Sequence, residues 1–220
     1  MLKLVIGNKN YSSWSIRPWL LMTQSGIAFE EIEVWLAEPA AAASIARYSP
    51  SGTVPVLIDP DGVREITVWD SLAICEYLAE KYPAKPLWPA DAARRAQARS
   101  VSAEMHSGFT ALRANMPMNI RNRYPGKGMT AEVAADVARV ESLWSTCLEA
   151  SGGPYLFGEF GIADAMFAPV VFRLQTYAVG VGGKAAAYMQ RMLTTPALVK
   201  LTQLAAAEGH AQARYDARYV

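Results

Sequence analysis

The chain has few of the residues that build metal and redox sites: 220 residues contain two cysteines and two histidines. Cys75 and Cys147 are far apart in apolar, helical-looking sequence, a placement that fits no zinc or dithiol motif. Both are expected to be buried, reduced thiols that act as small hydrophobes. With only His106 and His210, and neither His-x-x-x-His nor Cys-x-x-Cys, no metal site is expected. An excess of one charge is also missing. There are 21 basic and 20 acidic residues and no long run of either, which argues against a nucleic-acid or anionic-membrane partner but allows a local basic pocket. The densest apolar run, Phe167 to Phe172, is too short to span a bilayer and contains Pro169. Met1 to Ile6 is too short for a signal-peptide core and lacks a small-residue cleavage site, so a cytoplasmic protein is expected.

What the chain does have is apolar content, 52% of its residues, enough for one large or two small domains. Leu2 to Ile6 predicts a strand, and the serine stretch after it opens a helix to Gly26, with Pro18 tolerated in the first turn. Phe29 to Leu36 alternates as a strand, and a short helix follows near Ala40 to Tyr48. Val54 to Ile58 and Glu65 to Val68 are strand candidates joined by a hairpin turn at Asp59-Pro60-Asp61-Gly62. Asp70 or Ser71 caps a helix that runs to Pro83. The order β-α-β-α-β-β-α over residues 1–82 predicts a four-stranded mixed sheet with helices on both faces. Pro83, Pro86 and Pro89 mark a linker over 83–91. Beyond it, 92–220 reads as all helical. One long helix is expected over 92–119, and another carries the stripe Val133, Val137, Val140, Trp144, Cys147 and Leu148. Three more are expected over 162–179, 184–194 and 196–207.

Two short stretches suggest chemistry. Pro55 stands at a strand start, where an edge strand and a cis Val54-Pro55 bond are both open readings. The cis form would turn the Val54 backbone groups outward to pair with an extended peptide. Asp70 and Ser71 stand at a helix start, where free N–H groups and the positive dipole end suit a carboxylate, while Asp70 suits an ammonium. An α-amino acid head group carries both charges.

Taken together, these segments resemble the cytosolic glutathione transferase family over nearly the whole chain. "YSSWSIRPWL" is similar to the serine-type, zeta-like motif of two serines, any residue, Ser, any residue, Arg. "SPSGTVPVL" and "WDSLAICEYLAEKYP" are similar to the family's Val-Pro and Asp-Ser segments, and "GEFGIADAMFAP" to its helical capping segment. The resemblance implies a thioredoxin-like α/β domain over 1–82, a linker, and an all-α helical domain over 92–220. It implies glutathione as co-substrate, a small electrophile as second substrate in detoxification, no metal, and a homodimer. Ser12 takes the catalytic position, with Ser13 as its competitor. On the same resemblance, Thr53, Val54, Pro55, Asp70 and Ser71 are expected to hold glutathione alongside Ser12.

Thr53 stands where the family often has a lysine, so the glycine carboxylate needs another anchor, for which Arg47 is a candidate. Trp14 replaces the cysteine of zeta-type enzymes, which isomerise maleylacetoacetate, and its ring would narrow the pocket beside the sulfur. The acceptor pocket is expected to involve Trp14, Met105, His106, Phe109 and Arg113, although for His106 and Arg113 hydrogen bonding within the helical core or interdomain contact is the first reading. Arg173 can face cleft or solvent. Asp164 reads as structural, half of a capping box whose hydroxyl partner is replaced by Gly161. The alternatives are a glutathione-dependent cis-trans isomerase and a non-catalytic binding or regulatory protein of the same fold.

Overall fold

The structure, a computed structural model, describes residues 1–60 and 64–219. The first part contains β1 (Leu2–Gly7), α1 (Ile16–Gln24), β2 (Phe29–Val34), α2 (Ala41–Ala46), β3 (Val56–Pro60), β4 (Glu65–Trp69) and α3 (Ser71–Lys81). The second contains α4 (Ala92–Ser107), α5 (Thr110–Asn115), α6 (Ala131–Ser151), α7 (Ile162–Tyr177), α8 (Gly183–Leu193), α9 (Pro196–Ala207) and α10 (Ala213–Asp216). The strands form one mixed sheet in the order β2-β1-β3-β4, with β1 parallel to β2 and antiparallel to β3. This is the expected α/β thioredoxin-like part followed by an all-helical part.

The pleat sends alternate residues of the central strands to opposite faces. Leu2, Leu4, Ile6 and Leu57 join the main core under α1, α3 and the helical part. Val5, Val56 and Ile58 face a smaller core closed by Val34 and by Ile45 of α2. The spine of the main core is α7, in which every residue except Gln175 is buried, so its sequence is apolar almost all round. It packs against both α1 and α4 and so ties the two parts together.

Several expectations change. The helix expected over 92–119 is two helices, because Phe109 takes a left-handed φ of +54° after Gly108. A Cβ at Gly108 would lie 2.7 Å from the Glu104 carbonyl oxygen, so the turn needs glycine there. Regular α1 begins at Ile16 rather than at the serines, and β3 begins at Val56 rather than Val54. In α6 the stripe is buried except at Cys147, which is half-buried. The expected turn residues Asp61 and Gly62 lie outside the described residues. Among the described residues no helix is long and apolar enough to cross a membrane.

Candidate functional site

A cleft of about 960 Å³ opens between the loop after β1, the segment before β3, the end of α4 with α5, α7 and the C-terminal segment. The loop is shaped by Asn8, whose carbonyl accepts from the N–H groups of Tyr11 (3.2 Å) and Ser12 (2.8 Å). The Ser12 carbonyl accepts in turn from the Ile16 N–H at 3.2 Å, so helical bonding starts at the serine and the positive end of α1 opens on this loop. Ser12 is 7% exposed and lines the cleft. Its hydroxyl donates to Ser15 Oγ (2.8 Å), which also accepts from the Gly7 N–H (3.0 Å). Ser13 lines the cleft too, and its Oγ accepts from Arg173 Nη2 at 3.3 Å.

Tyr11 is the other hydroxyl at this wall. It donates to Asp216 (2.6 Å) and accepts from Arg121 Nη2 (2.9 Å) and the Gln212 N–H (3.2 Å). A phenol has one proton to give, and this one is taken.

Thr53 and Val54 line the same cleft, and the Val54-Pro55 bond is cis, with Pro55 itself buried. Asp70 stands between β4 and α3 at φ 74°, ψ 134°, a conformation that costs a non-glycine residue roughly 1–3 kcal/mol and that clusters at functional sites. Its Oδ1 caps α3 by accepting from Leu72 (2.9 Å) and Ala73 (3.1 Å) N–H groups, and its Oδ2 lies 2.6 Å from His106 Nε2. Burial pushes the Asp70 carboxyl up, but the hydrogen bonds from His106 and from the helix N–H groups outweigh it and leave it below the usual range.

Ser71 is buried, and its hydroxyl accepts from Arg17 Nη1 at 3.3 Å. Burial, reinforced by the charges of Arg173 and Arg113, pushes the Arg17 guanidinium down to about 9. Trp14 lines the cleft and carries two guanidiniums over its ring, with Arg17 Cζ and Arg113 Cζ both 4.3 Å from the centroid. The His106 ring meets it at 5.2 Å.

The cleft therefore brings together Ser12, Ser13, Trp14, Val54, His106 and Arg113, with Thr53 at its rim. Pro55, Asp70 and Ser71 do not line it: Asp70 reaches it through His106, and Ser71 is bonded to the buried Arg17, which packs on Trp14. Met105 and Phe109 do not line it, which corrects the expected acceptor pocket. Met105 continues the buried face of α4 with Ala98, Val101 and Ser102, and His106, one residue on, is turned about 100° toward the cleft. The left-handed turn at Phe109 aims its ring at Phe167 of α7, 6.4 Å between centroids. Arg47 is exposed and outside the cleft. Asp164 lies in the core, where it accepts from the Leu156 N–H (3.1 Å), the Gly161 N–H (3.0 Å) and Tyr188 OH (2.9 Å).

Three features went unread in the sequence. Ser15 holds the proton of Ser12. Arg173, left between cleft and solvent, is 4% exposed and reaches the cleft. The C-terminal segment forms part of the wall: Tyr215 stacks on Tyr11 (5.4 Å), and Glu208 accepts from the Lys9 and Asn10 N–H groups. The repeated Arg-Tyr pairs at 214–215 and 218–219 were its only signal.

Comparison with known proteins agrees with this architecture. A family model described as "Glutathione S-transferase, N-terminal domain" matches residues 11–81, and one described as "Glutathione S-transferase, C-terminal domain" matches 127–191. Glutathione S-transferase Z2 of Arabidopsis thaliana is 29% identical over 171 residues, 74% of this chain and 74% of that protein. A Stringent starvation protein A homolog of Pasteurella multocida (strain Pm70) is 27% identical over 180 residues, 79% of this chain and 77% of that protein. The crystal structure of a glutathione transferase homolog from Burkholderia GL BGR1, with bound glutathione, shares the fold at a TM-score of 0.71 and 23% identity, covering 94% of this chain and 99% of that one.

Proposed function

Because the chain belongs to the glutathione S-transferase family, we propose that it is a serine-type glutathione transferase, with Ser12 donating a hydrogen bond to the glutathione sulfur. The observation that carries the reading is a cleft-lining Ser12 whose one hydroxyl partner, Ser15, can itself turn donor when Ser12 gives up that bond. When Ser12 turns its proton to the sulfur, Ser15 can donate to Ser12 while it still accepts from the Gly7 N–H.

Lowering a thiol pKa by about two units from 8.5 requires ~3 kcal/mol of preferential thiolate binding. A hydroxyl bonded to a charged acceptor supplies roughly 1.5–3 kcal/mol and the end of α1 about 0.3–1. The γ-glutamyl head group is assigned to Asp70 and the N-terminus of α3 at Ser71, and the cysteinyl backbone to Val54 beside Pro55. The thiolate then attacks a small electrophile.

The test is thiolate absorbance of the bound complex against pH. Ser12→Ala is expected to raise the pKa of bound glutathione by about one to two units, and Ser13→Ala to leave it nearly unchanged. A larger shift in Ser13→Ala would move the assignment to Ser13, and no shift in either would refute the serine mechanism.

A second reading, a binding or regulatory protein of this fold, draws on the similarity to the Stringent starvation protein A homolog and on the internal bond that occupies Ser12. Saturable glutathione binding with no turnover across electrophiles, peroxides and maleylacetone would favour it. Turnover of maleylacetone alone would favour the isomerase, against which stands the Trp14 ring in the cleft, held in contact with Arg17 and Arg113.

A further inference from the structure

The Trp14 ring touches the supports of both residues assigned to the glutathione head group. On one path Arg17, 1% exposed, has its Cζ 4.3 Å from the ring centroid and donates Nη1 to Ser71 Oγ at 3.3 Å. On the other, the His106 ring meets Trp14 edge-on at 5.2 Å, and its Nε2 lies 2.6 Å from Asp70 Oδ2. Arg113 joins them, with its Cζ also 4.3 Å from the centroid and its Nη1 bonded to the His106 carbonyl at 3.1 Å. Trp14 itself is half-buried and lines the cleft.

A buried guanidinium needs an anion or a full set of hydrogen bonds to hold its place. Arg17 has neither: among the described residues its Nε has no partner and it forms no ion pair with a carboxylate. Its bond to Ser71 is long, so the indole ring is the contact that fixes the cation. Both anchors are thereby left ready for a ligand. Because Ser71 Oγ accepts from Arg17, its proton is free to be donated. Asp70 gives Oδ1 to two helix N–H groups and shares Oδ2 with His106, which leaves one of about four acceptor sites for an ammonium. We propose that Trp14 is a positioning residue for the glutathione head group, holding Ser71 through Arg17 and Asp70 through His106. This rests on the transferase reading and gives Trp14 a role beyond narrowing the pocket beside the sulfur.

Calorimetric binding of S-methylglutathione tests it, because that ligand keeps the head group and has no thiol to ionise. Trp14→Leu is expected to weaken binding roughly five- to thirtyfold. Trp14→Phe keeps an aromatic face and should stay within about threefold of the wild type; a loss as large as that of Trp14→Leu would overturn the role of the ring. In the Asp70→Asn, Ser71→Ala background, Trp14→Leu should cost less than about twofold more, because a residue that acts through those anchors has nothing left to position. A full additive loss in that background overturns the proposal, and so does unchanged affinity in Trp14→Leu alone.

A second measurement separates the head group from the sulfur. The pKa of bound glutathione, read by thiolate absorbance, should be nearly the same in Trp14→Leu as in the wild type, because Ser12 and Ser15 are untouched. A rise as large as that of Ser12→Ala, with unchanged affinity, would put the action of Trp14 at the sulfur and overturn the proposal. S-methylglutathione binding that falls in Trp14→Leu, in a protein that turns over no electrophile, supports the proposal while the transferase reading falls. A wild type that binds neither ligand overturns both. Should Trp14→Leu fail to fold, His106→Ala cuts the link from the ring to Asp70 with Trp14 in place. A loss of about threefold or more there supports the proposal, and unchanged affinity overturns it.

Discussion

The two walls of the cleft are made of different material. The N-terminal wall presents small hydroxyls and backbone groups at Ser12 and Val54, with Ser71 buried behind it, each placed by its nearest neighbours in sequence. A turn closed by Asn8 sets Ser12, the cis bond to Pro55 sets Val54, and the Asp70 cap sets Ser71. The helical wall presents guanidiniums from α5, α7 and the C-terminal segment, which meet only because α7 runs through the core and the segment folds back onto the loop after β1. One wall is assembled by local rules and the other by the tertiary fold, so they should fail in different ways.

The largest failure is expected in the beam behind the helical wall. Asp164 sits in the first turn of α7, the helix that carries Arg173, and Asp164→Ala would leave three buried donors without a partner. At about 1–3 kcal/mol for each unsatisfied group, a loss of roughly 3 kcal/mol or more is expected in denaturant unfolding. A loss below about 1 kcal/mol would show that α7 is not anchored there.

The same residue gives a pH signature. Burial pushes its carboxyl up to about 6 against the pull of its hydrogen bonds. A folded pKa above the unfolded value means that the folded state holds the proton more tightly. The contribution to stability therefore grows as pH falls through 6 toward the ordinary carboxylate range, by up to ~3 kcal/mol for a two-unit shift. Asp164→Asn should remove that gain, read as the difference between the two pH profiles. Asp70 and Glu76, both held below the usual range, contribute the opposite slope to both proteins and cancel in the difference.

The next effect in size belongs to the N-terminal wall. Asp70→Asn with Ser71→Ala keeps a residue type that tolerates positive φ but removes the charge and the hydroxyl. Glutathione affinity measured calorimetrically should fall at least about tenfold, or ~1.4 kcal/mol, while stability changes much less than in Asp164→Ala. Unchanged affinity would separate this pair from glutathione binding and leave the wall without its head-group anchor.

The contrast between walls also explains what could be read before the structure. The order of elements along the first part and the Asp70 cap follow from spacing and turn chemistry over a few residues, whereas Pro55 left an edge strand and a cis bond both open and the half capping box at Asp164 was located through the family resemblance. The break at Gly108 and Phe109 was hidden because Phe109 is a non-glycine residue at positive φ, which composition does not announce. That break sends Phe109 into the core, and helix periodicity does the same for Met105, so two of the five residues expected in the acceptor pocket do not line the cleft. Arg173 could be placed on a helix but not on a face, because α7 is buried on every side. No rule of spacing links residue 11 to residue 215, so the contribution of the C-terminal segment had to wait for the fold.

The smallest effect tests whether the N-terminal wall is as local as it looks. Ser15 touches nothing in the cleft directly, yet it receives the Ser12 proton and the Gly7 N–H. If it acts as a relay, Gly7 N–H to Ser15 to Ser12 to sulfur, each bond polarises the next by about 10–30%. Applied to a bond of roughly 1.5–3 kcal/mol, that is ~0.2–0.9 kcal/mol, or about 0.1–0.7 pKa unit on the bound thiol. Ser15→Ala should therefore raise the thiol pKa by less than half of the Ser12→Ala shift. It should also cost stability of about 1–3 kcal/mol, because the buried Gly7 N–H loses its acceptor. Ser15→Thr keeps the hydroxyl and should restore the pKa if the added methyl fits. A shift in Ser15→Ala equal to that of Ser12→Ala would mean that Ser15 positions Ser12 outright. A stability loss with no pKa shift would make it a structural support for the end of β1 and leave Ser12 to act alone.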